Sequence, residues 1–300
     1  MTNFTNQYVP SIGLGTYNMS SEEAELTTFH ALKHGYRHID TAAVYRNEDG
    51  VAKGVKTYLN ESDLKREDIF ITTKLWPGGL VKVDRIKDYT GTVKSFEKSL
   101  MRLNLDYIDL YLIHSPHGKT KRLEQWRALV DLKEAGKIKY IGVSNWGINH
   151  LSELKENDLP MPDANQIELH PWSQKPELVK FLRNEKIDII AYSSLVPLST
   201  WRHKDGENSK KTNEMHEIGL SENSPFKILA EKYDVTEAQF LLKWAVQNNY
   251  AVLPKSINIE RVKQNFELNF LIDQSDMEYI TTLDKGDSIT WEYGDPLKVK

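Results

Sequence analysis

The chain has 300 residues, of which 39% are hydrophobic and 27% charged, so it holds enough apolar material for one large domain or two ordinary ones. Its net charge of −4 argues against a nucleic-acid-binding protein, because no domain-wide basic face is implied. There is no cysteine, which excludes disulfides, thiolate chemistry and cysteine zinc sites.

The opening residues, MTNFTNQYVP, are polar and lack the apolar segment of a signal peptide. No apolar run in the chain approaches the roughly 20 residues that a helix needs to cross a bilayer. We therefore expect a cytoplasmic protein without membrane contact.

The first predicted helix is SSEEAELTTFHALKHG. Ser20 and Glu23 have the spacing of a capping box, and Gly35 ends the helix. The apolar residues at helical spacing are Leu26, Phe29 and Leu32. A predicted helix is followed by a predicted strand three more times. The pairs are RLEQWRALVDLKEAG and KIKYIGVSN, KPELVKFLRNEK and IDIIAYSS, and TEAQFLLKWAVQNN and YAVLPKS. Within these helical patterns, Trp126 and Trp244 are predicted to be core residues.

Eight segments have the character of buried parallel strands, because their apolar runs are continuous rather than alternating. They are IGLGTY, YRHIDTA, DIFITTKLW, YIDLYLIHS, KIKYIGVSN, ANQIELHP, IDIIAYSS and YAVLPKS. Eight strands alternating with helices, with no linker between them, predict an α/β protein built as one closed (β/α)8 TIM barrel over residues 1–300.

A doubly wound open sheet is the alternative fold. Its dinucleotide fingerprint requires a third glycine, but Gly13 and Gly15 are followed by Asn18 at that position, which argues against it. The polar stretch 197–224 follows a predicted strand and therefore lies at the catalytic face of a barrel, either as a lid or as a disordered insertion.

Every predicted strand ends on polar or ionisable residues, and the carboxyl ends of the strands are where barrel enzymes build their sites. In chain order these residues are Thr16 and Tyr17, Asp40, Lys74, His114, Ser144 and Asn145, Gln166, Tyr192, and Lys255 and Ser256. Such a series predicts an active site.

Four of the residues near the strand ends can together reduce a carbonyl group. Lys74 follows a buried strand and needs a counter-charge, for which Asp40 is the natural partner. An ammonium held near Tyr45 favours tyrosinate and lowers the pKa of a phenol, so that it can donate a proton near neutral pH. His114 can hydrogen-bond the same substrate oxygen and orient it.

The last strand and the helix after it suggest the source of hydride. Lys255, Ser256, Arg261 and Asn265 provide two cations, a hydroxyl and helix amides for a monophosphate. A second group of residues can hold an amide-bearing ring, and its members are Ser144, Asn145, Gln166 and Tyr192. Together they predict a nicotinamide dinucleotide phosphate. No metal is expected.

These segments resemble the aldo-keto reductase family in their order and over almost the whole chain. The matching motifs are GLGTY, GYRHIDTAAVYRNE, ITTKLW, DLYLIH, IGVSN, NQIELHP, AYSSL and LPKS…ER…QN. The resemblance implies a (β/α)8 barrel that reduces aldehydes or ketones with NADPH, and a small hairpin at NQYVP that closes the bottom of the barrel.

Carried over by position, the resemblance implies a catalytic tetrad of Asp40, Tyr45, Lys74 and His114. The implied cofactor contacts are Thr16, Tyr17, Asp40, Ser144, Asn145, Gln166, Tyr192, Ser193, Leu195, Lys255, Ser256, Ile257, Asn258, Arg261, Gln264 and Asn265. The implied substrate contacts are Tyr17, Tyr45, Trp76, His114 and Ser115. The expected partner is a small carbonyl compound, without nucleic acid, and the protein is expected to be a monomer or a weak dimer.

The chain departs from the family at a few positions. Many members have an aromatic residue where this chain has Ser115, and Trp where it has Tyr17. An acidic residue often lies near the adenine, where this chain has Gln264, and the segment after Tyr192 also differs. We expect Ser115 to leave the pocket wider and more polar.

Two other functions use the same fold. One is a nucleotide-sensing or partner-binding subunit with little turnover, against which the intact tetrad argues. The other is a Schiff-base lyase with Lys74 or Lys255 as the nucleophile, which leaves Tyr45 and the amide-binding residues unexplained.

Overall fold

In the computed structural model, which describes residues 8–81, 83–198, 217, 221, 223–286 and 295–300, eight parallel strands pair in sequence order. They are β1 (Leu14–Gly15), β2 (His38–Asp40), β3 (Phe70–Leu75), β4 (Ile108–Ile113), β5 (Ile138–Ser144), β6 (Ala164–Glu168), β7 (Asp188–Tyr192) and β8 (Ala251–Val252). All eight predicted strands are confirmed.

The sheet closes on itself between its first and last strands. Val252 donates its backbone N–H to Ser11 O at 2.9 Å, and Gly13 donates to Val252 O at 2.8 Å. Gly15 adds a bond to Pro254 O at 3.1 Å. With no free edge between β8 and β1, the sheet is the predicted (β/α)8 barrel.

Helices pack around the outside of the barrel. Those described are α1 (Ser21–Lys33), α2 (Glu48–Asn60), α3 (Tyr89–Leu103), α4 (Arg122–Glu134), α5 (Ile148–Glu156), α6 (Pro176–Asn184), α7 (Pro225–Lys232), α8 (Glu237–Gln247), α9 (Ile259–Phe266) and α10 (Gln274–Thr281). Trp126 and Trp244 are buried in the core, as predicted. Among these residues no helix is long and apolar enough to span a bilayer.

The first helix begins as predicted but packs differently. The capping box is present, with Glu23 N 3.1 Å from Ser20 Oγ and Ser20 N 2.8 Å from a Glu23 carboxylate oxygen. Leu26, however, is 55% exposed, because α1 approaches α2 through small residues. A Cβ on Gly50 of α2 would lie 2.0 Å from Ser21 O, so the two backbones are nearly in contact.

Strand alternation divides the buried residues between the barrel interior and the helix layer. In β4, Leu110 and Leu112 belong to the interior cluster, whereas Tyr111 and Ile113 join the larger core under the helices. Tyr140 continues the interior cluster on β5. Side chains that share this inward alternation converge inside the barrel.

The bottom of the barrel is covered by the start of the described chain. The Asp188 carboxylate accepts hydrogen bonds from Tyr8 N at 2.8 Å and Val9 N at 3.0 Å. The Tyr8 ring stacks on Tyr140 with centroids 4.7 Å apart. Residues 6 and 7 of the predicted hairpin at NQYVP lie outside the described ranges. The predicted lid or insertion at 197–224 falls almost entirely on residues outside the described ranges.

Candidate active site

Strand alternation brings the predicted site residues to the upper end of the barrel interior. Asp40 ends β2, Lys74 lies near the end of β3, and His114 directly follows β4. Lys74 pairs in register with the inward-facing Leu112, which lies two residues before His114 in the chain. The three side chains therefore point into one space at the carboxyl ends of adjacent strands.

Lys74 and Asp40 form a buried ion pair. Lys74 Nζ lies 2.5 Å from Asp40 Oδ1 and donates to Thr41 O at 2.9 Å. Gln166 Nε2 donates to the other Asp40 oxygen at 2.8 Å. The carboxylate thus has a partner on each oxygen, which fixes the position of the ammonium.

Burial works against the charged forms of both partners. It lowers the pKa of Lys74 below its usual range, and the attraction of Asp40 opposes the change only in part. Burial likewise raises the pKa of the Asp40 carboxyl, opposed by Lys74 and by the hydrogen bond from Gln166. Each charge therefore depends on the other for its stability inside the barrel.

Tyr45 lies in a short 3-10 turn, Ala43–Tyr45, just after β2. Its hydroxyl oxygen is 3.4 Å from Lys74 Nζ, and its ring centroid is 4.9 Å from the same nitrogen. The edges of two further aromatic rings meet it, His114 at 5.6 Å and Tyr17 at 5.1 Å between centroids. Asp40, Tyr45, Lys74 and His114 thus converge, as the sequence predicts.

The His114 imidazole is neutral around pH 7. Burial holds its pKa well below the usual value, and the positive charge of Lys74 lowers it further. Its Nδ1 is buried without a hydrogen-bond partner in the described part of the chain. The Trp76 indole meets the ring edge at 5.7 Å between centroids, and Trp76 Nε1 donates to Asp84 at 2.7 Å.

A group of amide and hydroxyl side chains lies beside the ion pair, on β5, β6 and β7. Asn145 Nδ2 donates to His114 O at 3.1 Å and to Ser144 Oγ at 3.0 Å. Ser144 Oγ donates to Gln166 O at 2.9 Å. Tyr192 donates its hydroxyl to Asn145 Oδ1 at 2.7 Å, which fixes the orientation of its ring.

The predicted phosphate-binding residues surround the start of α9. Asn258 caps this helix through its side chain, which accepts from Arg261 N at 3.1 Å, and Ser256 Oγ accepts from Asn258 N at 3.1 Å. Lys255 and Arg261 are exposed, and neither forms an ion pair with another described residue. Asn265 is buried on the inner side of α9.

The remaining predicted contacts lie around the same rim. Thr16 is fully buried, and its hydroxyl donates to Asp40 O at 3.0 Å. Ser193 has a left-handed backbone with φ 57°, and the partly buried Leu195 follows it. Ile257 and Gln264 are exposed at the loop before α9 and on α9 itself.

The predicted substrate contacts differ in their exposure to solvent. Tyr17 is 40% exposed and Trp76 is partly buried, as residues of an open wall would be. Ser115 is fully buried, and its Oγ lies 3.0 Å from His117 Nδ1. Its hydroxyl is therefore directed to His117 rather than to open space.

The residues present fit a nicotinamide dinucleotide phosphate. Gln166 uses its amide N–H on Asp40, and its amide oxygen accepts no hydrogen bond from the described residues. Lys255 and Arg261, which form no ion pair with another described residue, supply positive charge near the start of α9. In the sequence they lie far from the Lys74–Asp40 ion pair. An amide-bearing ring and a remote phosphate match these two groups.

Two buried residues beside Tyr45 were missed by the sequence analysis. Asn47 and Glu48 are both almost completely inaccessible to solvent, although they follow the exposed Arg46. Glu48 accepts from Thr73 Oγ1 at 2.6 Å and from Arg102 Nε at 2.6 Å. In the sequence, the only trace of them is the polar run RNE directly after Tyr45. Polar side chains such as these are buried only where they form hydrogen bonds.

Comparison with known proteins agrees with the fold. The model of the aldo/keto reductase family matches residues 11–285. The glyoxal reductase of Bacillus subtilis (strain 168) is 38% identical over 283 residues, covering 94% of this chain and 91% of that protein. The methylglyoxal reductase DkgA of Yersinia pestis is 36% identical over 285 residues, covering 94% of this chain and 92% of that protein.

A solved structure gives the same result. The crystal structure of the Bombyx mori aldo-keto reductase in complex with NADP has a TM-score of 0.81 and 28% sequence identity to this chain. The match covers 96% of this chain and 95% of that chain. The chain belongs to the aldo/keto reductase family.

Proposed function

We propose that Tyr45 is the proton donor with which this NADPH-dependent reductase converts an aldehyde or ketone into an alcohol. The observation that carries the proposal is the Lys74 ammonium, held 2.5 Å from Asp40 and 3.4 Å from the Tyr45 hydroxyl. A fixed positive charge at this distance stabilises the tyrosinate that remains after the proton has been given away.

His114 is the other candidate acid, and its pKa decides against it. A pKa well below the usual value leaves the imidazole without a second proton at neutral pH. A neutral imidazole still has one N–H, which can hydrogen-bond the substrate oxygen and orient the carbonyl group. Tyr45 then donates the proton, and His114 positions the atom that receives it.

The cofactor, when bound, supplies the hydride. Gln166, Ser144 and Asn145 would hold the carboxamide of its nicotinamide ring, and Tyr192 would support the ring. At the other end, the residues that would bind the phosphate and adenine are Lys255, Ser256, Asn258, Arg261 and Asn265. Thr16, Tyr17, Ser193, Leu195, Ile257 and Gln264 complete the predicted contacts.

We propose that the substrates include short α-dicarbonyl compounds. The support comes from two relatives named glyoxal reductase and methylglyoxal reductase. Tyr17 and Trp76 form the wall beside Tyr45 and His114, with Ser115 behind His117. A cytoplasmic location and a monomeric or weakly dimeric state stay predictions of the sequence.

A Schiff-base lyase is less consistent with the contacts of Lys74. Its nitrogen is buried and held as an ammonium by the ion pair with Asp40, and an ammonium has no lone pair with which to attack a carbonyl carbon. Lys255 is exposed on the surface before α9, away from the aromatic wall. Neither lysine combines a free amine with a pocket.

The test is Tyr45→Phe, which removes only the hydroxyl. We expect kcat to fall by about 10²-fold to 10⁴-fold, the usual contribution of a general acid, while the affinity for NADPH is retained. Tyr58→Phe, on the far part of α2, is the matched control and should leave kcat unchanged. Steady-state NADPH oxidation with glyoxal and methylglyoxal measures both variants. Near-normal turnover by Tyr45→Phe would refute the assignment.

A further inference from the structure

The loop that carries Tyr45 is held in an unfavourable backbone conformation. Arg46, the residue after Tyr45, has φ 60° and ψ 32°, in the left-handed region that residues other than glycine seldom adopt. Val44 and Arg46 are exposed, so the loop gains little from burial on its own. Contacts on either side of the loop must therefore maintain this conformation.

Asn47 provides such a contact in an unusual way. It occupies the N-cap of α2, where an Asn side chain normally accepts a hydrogen bond from the first turn of the helix, yet it makes no such bond. Its carboxamide is instead fully buried. Nδ2 donates to Thr16 O at 2.8 Å and to Met19 O at 3.0 Å, and Oδ1 accepts from Thr41 Oγ1 at 2.8 Å.

These bonds join the two loops that bear the tyrosines of the site. Thr16 and Met19 bracket Tyr17 in the loop after β1, and that ring meets Tyr45 edge to face. On the other side, Thr41 uses its hydroxyl on Asn47 and its carbonyl oxygen on Lys74 Nζ. One carboxamide therefore connects the Tyr17 loop, the Tyr45 loop and the residue that fixes Lys74.

We propose that Asn47 is a positioning residue whose buried carboxamide holds the Tyr45 hydroxyl within reach of the Lys74 ammonium. The inference rests on the proposed role of Tyr45 as proton donor. The separation of 3.4 Å between the hydroxyl and Lys74 Nζ is at the outer limit of a hydrogen bond, so a small shift of the loop breaks the contact. A misplacement of about 1 Å can lower a rate by about 10²-fold.

The decisive variant is Asn47→Asp, which keeps the size of the side chain. It places an oxygen, in place of the amide N–H groups, against Thr16 O and Met19 O, so the connection between the loops is lost. We expect kcat at saturating NADPH to fall by about 10-fold to 100-fold. The same change in a Tyr45→Phe background should lower kcat by less than about twofold, because the group being positioned is already absent.

This double-mutant cycle separates positioning from general damage. Asn165→Asp removes another fully buried amide donor, which is bonded to Trp146 O at 2.8 Å, and its effect should be equal with Tyr45 intact and in the Tyr45→Phe background. An equal loss for Asn47→Asp in both backgrounds, or no loss at all, would overturn the proposal. Full activity of Tyr45→Phe alone would instead refute the proposed function, which is a different result.

A second pair of variants covers the case in which Asn47→Asp does not fold. Thr41→Val removes only the hydroxyl that Asn47 accepts from, and Thr41→Ser retains it. Thr41→Val should lower kcat by about tenfold when Tyr45 is intact and leave it unchanged in the Tyr45→Phe background, whereas Thr41→Ser should preserve activity in both. Equal kcat values for the Val and Ser variants when Tyr45 is intact would overturn the proposal.

Discussion

At the scale of single residues, the central feature is that Asp40 and Lys74 are both removed from water. Removing only one partner of such a pair leaves an uncompensated buried charge, which costs about 3–5 kcal/mol of stability. A loss of activity in a variant of Lys74 alone could therefore come from unfolding as well as from loss of the catalytic group. A variant that removes both charges avoids this difficulty.

The double variant Lys74→Met with Asp40→Asn tests whether the ammonium tunes the acid. Without a cation 3.4 Å away, the phenol ionises at higher pH, so we expect the basic limb of the kcat profile to move upward by about one to three pH units. The value of kcat should fall as well. The profile is measured at saturating NADPH from about pH 6 to about pH 11, a range that brackets the ordinary pKa of a phenol, about 10.

Lys133→Met is the control for this experiment. That lysine pairs with Asp163 at 2.6 Å in a separate ion pair formed by α4 and the start of β6. Its removal should leave the basic limb where it is. A limb that does not move in the Lys74 variant either would show that the ammonium has no part in setting the acid.

At this scale the sequence predicted that the ionisable groups converge, but it did not predict the buried polar residues that hold them in place. Asp40, Lys74 and His114 can be placed from strand alternation, because within each strand every second side chain points to the same face. Asn47 cannot be placed in this way, because it lies in a loop and an Asn before a helix predicts a cap. Ser115 lies one position beyond His114, and only the coordinates show that its hydroxyl faces His117.

At the scale of elements, we expect α9 and the loop before it to determine the choice of cofactor. Lys255 and Arg261 are exposed and lack ion-pair partners among the described residues, so their charge is available to a phosphate. NADP and NAD would meet the same predicted amide-binding residues, because the two cofactors differ only at this phosphate. The preference for NADPH should therefore depend on this element alone.

We expect Lys255→Met combined with Arg261→Ala to raise the KM for NADPH by about 10-fold to 100-fold, because two charge-assisted hydrogen bonds are lost from an exposed site. The KM for NADH should change little. Lys263→Met removes an exposed cation from the same helix and is the matched control. Initial rates with each cofactor, repeated at higher salt, provide the measurement. A double variant that still prefers NADPH as strongly as the unmodified protein would contradict the assignment.

The elements themselves were largely predictable, and the exception has a physical cause. Strands β1 to β8 were found because buried parallel strands have continuous apolar runs. The packing face of α1 was not, because Gly50 and Gly54 of α2 allow its backbone to approach so closely that Leu26 is excluded from the interface. These glycines lie in α2, whereas α1 was predicted from the spacing of its own apolar residues.

At the scale of the whole molecule, the barrel encloses titratable groups that must remain neutral. Burial lowers the pKa of five of the described histidines, namely His38, His114, His117, His150 and His170. For His38, at the start of β2 and completely buried, the pKa falls to about 3. The unfolded chain exposes these imidazoles to water, where they bind protons near their ordinary pKa of about 6.5.

The sign of the pH dependence follows from proton counting. Between pH 6.5 and about pH 3 the unfolded state holds a proton on His38 that the folded state does not, so the free energy of unfolding rises with pH across this window. Below about pH 3 both states hold the proton and the contribution of His38 is constant. Each such histidine adds a slope of up to about 1.4 kcal/mol per pH unit. Acid should therefore unfold the barrel steeply.

His38→Gln isolates one of these contributions. The glutamine is polar and does not titrate, so the slope of unfolding free energy against pH between about 6 and 4 should fall by about 1.4 kcal/mol per pH unit relative to the unmodified protein. The variant loses the contact of 2.9 Å between His38 Nε2 and Thr72 Oγ1, and is therefore expected to be less stable at neutral pH but to approach the unmodified protein as the pH falls. His34→Gln, at the partly exposed C-cap of α1, is the control for the loss of a histidine. Urea unfolding at intervals of half a pH unit measures the slopes. Parallel curves for His38→Gln and the unmodified protein would mean that His38 takes up its proton in the folded barrel as readily as in the unfolded chain.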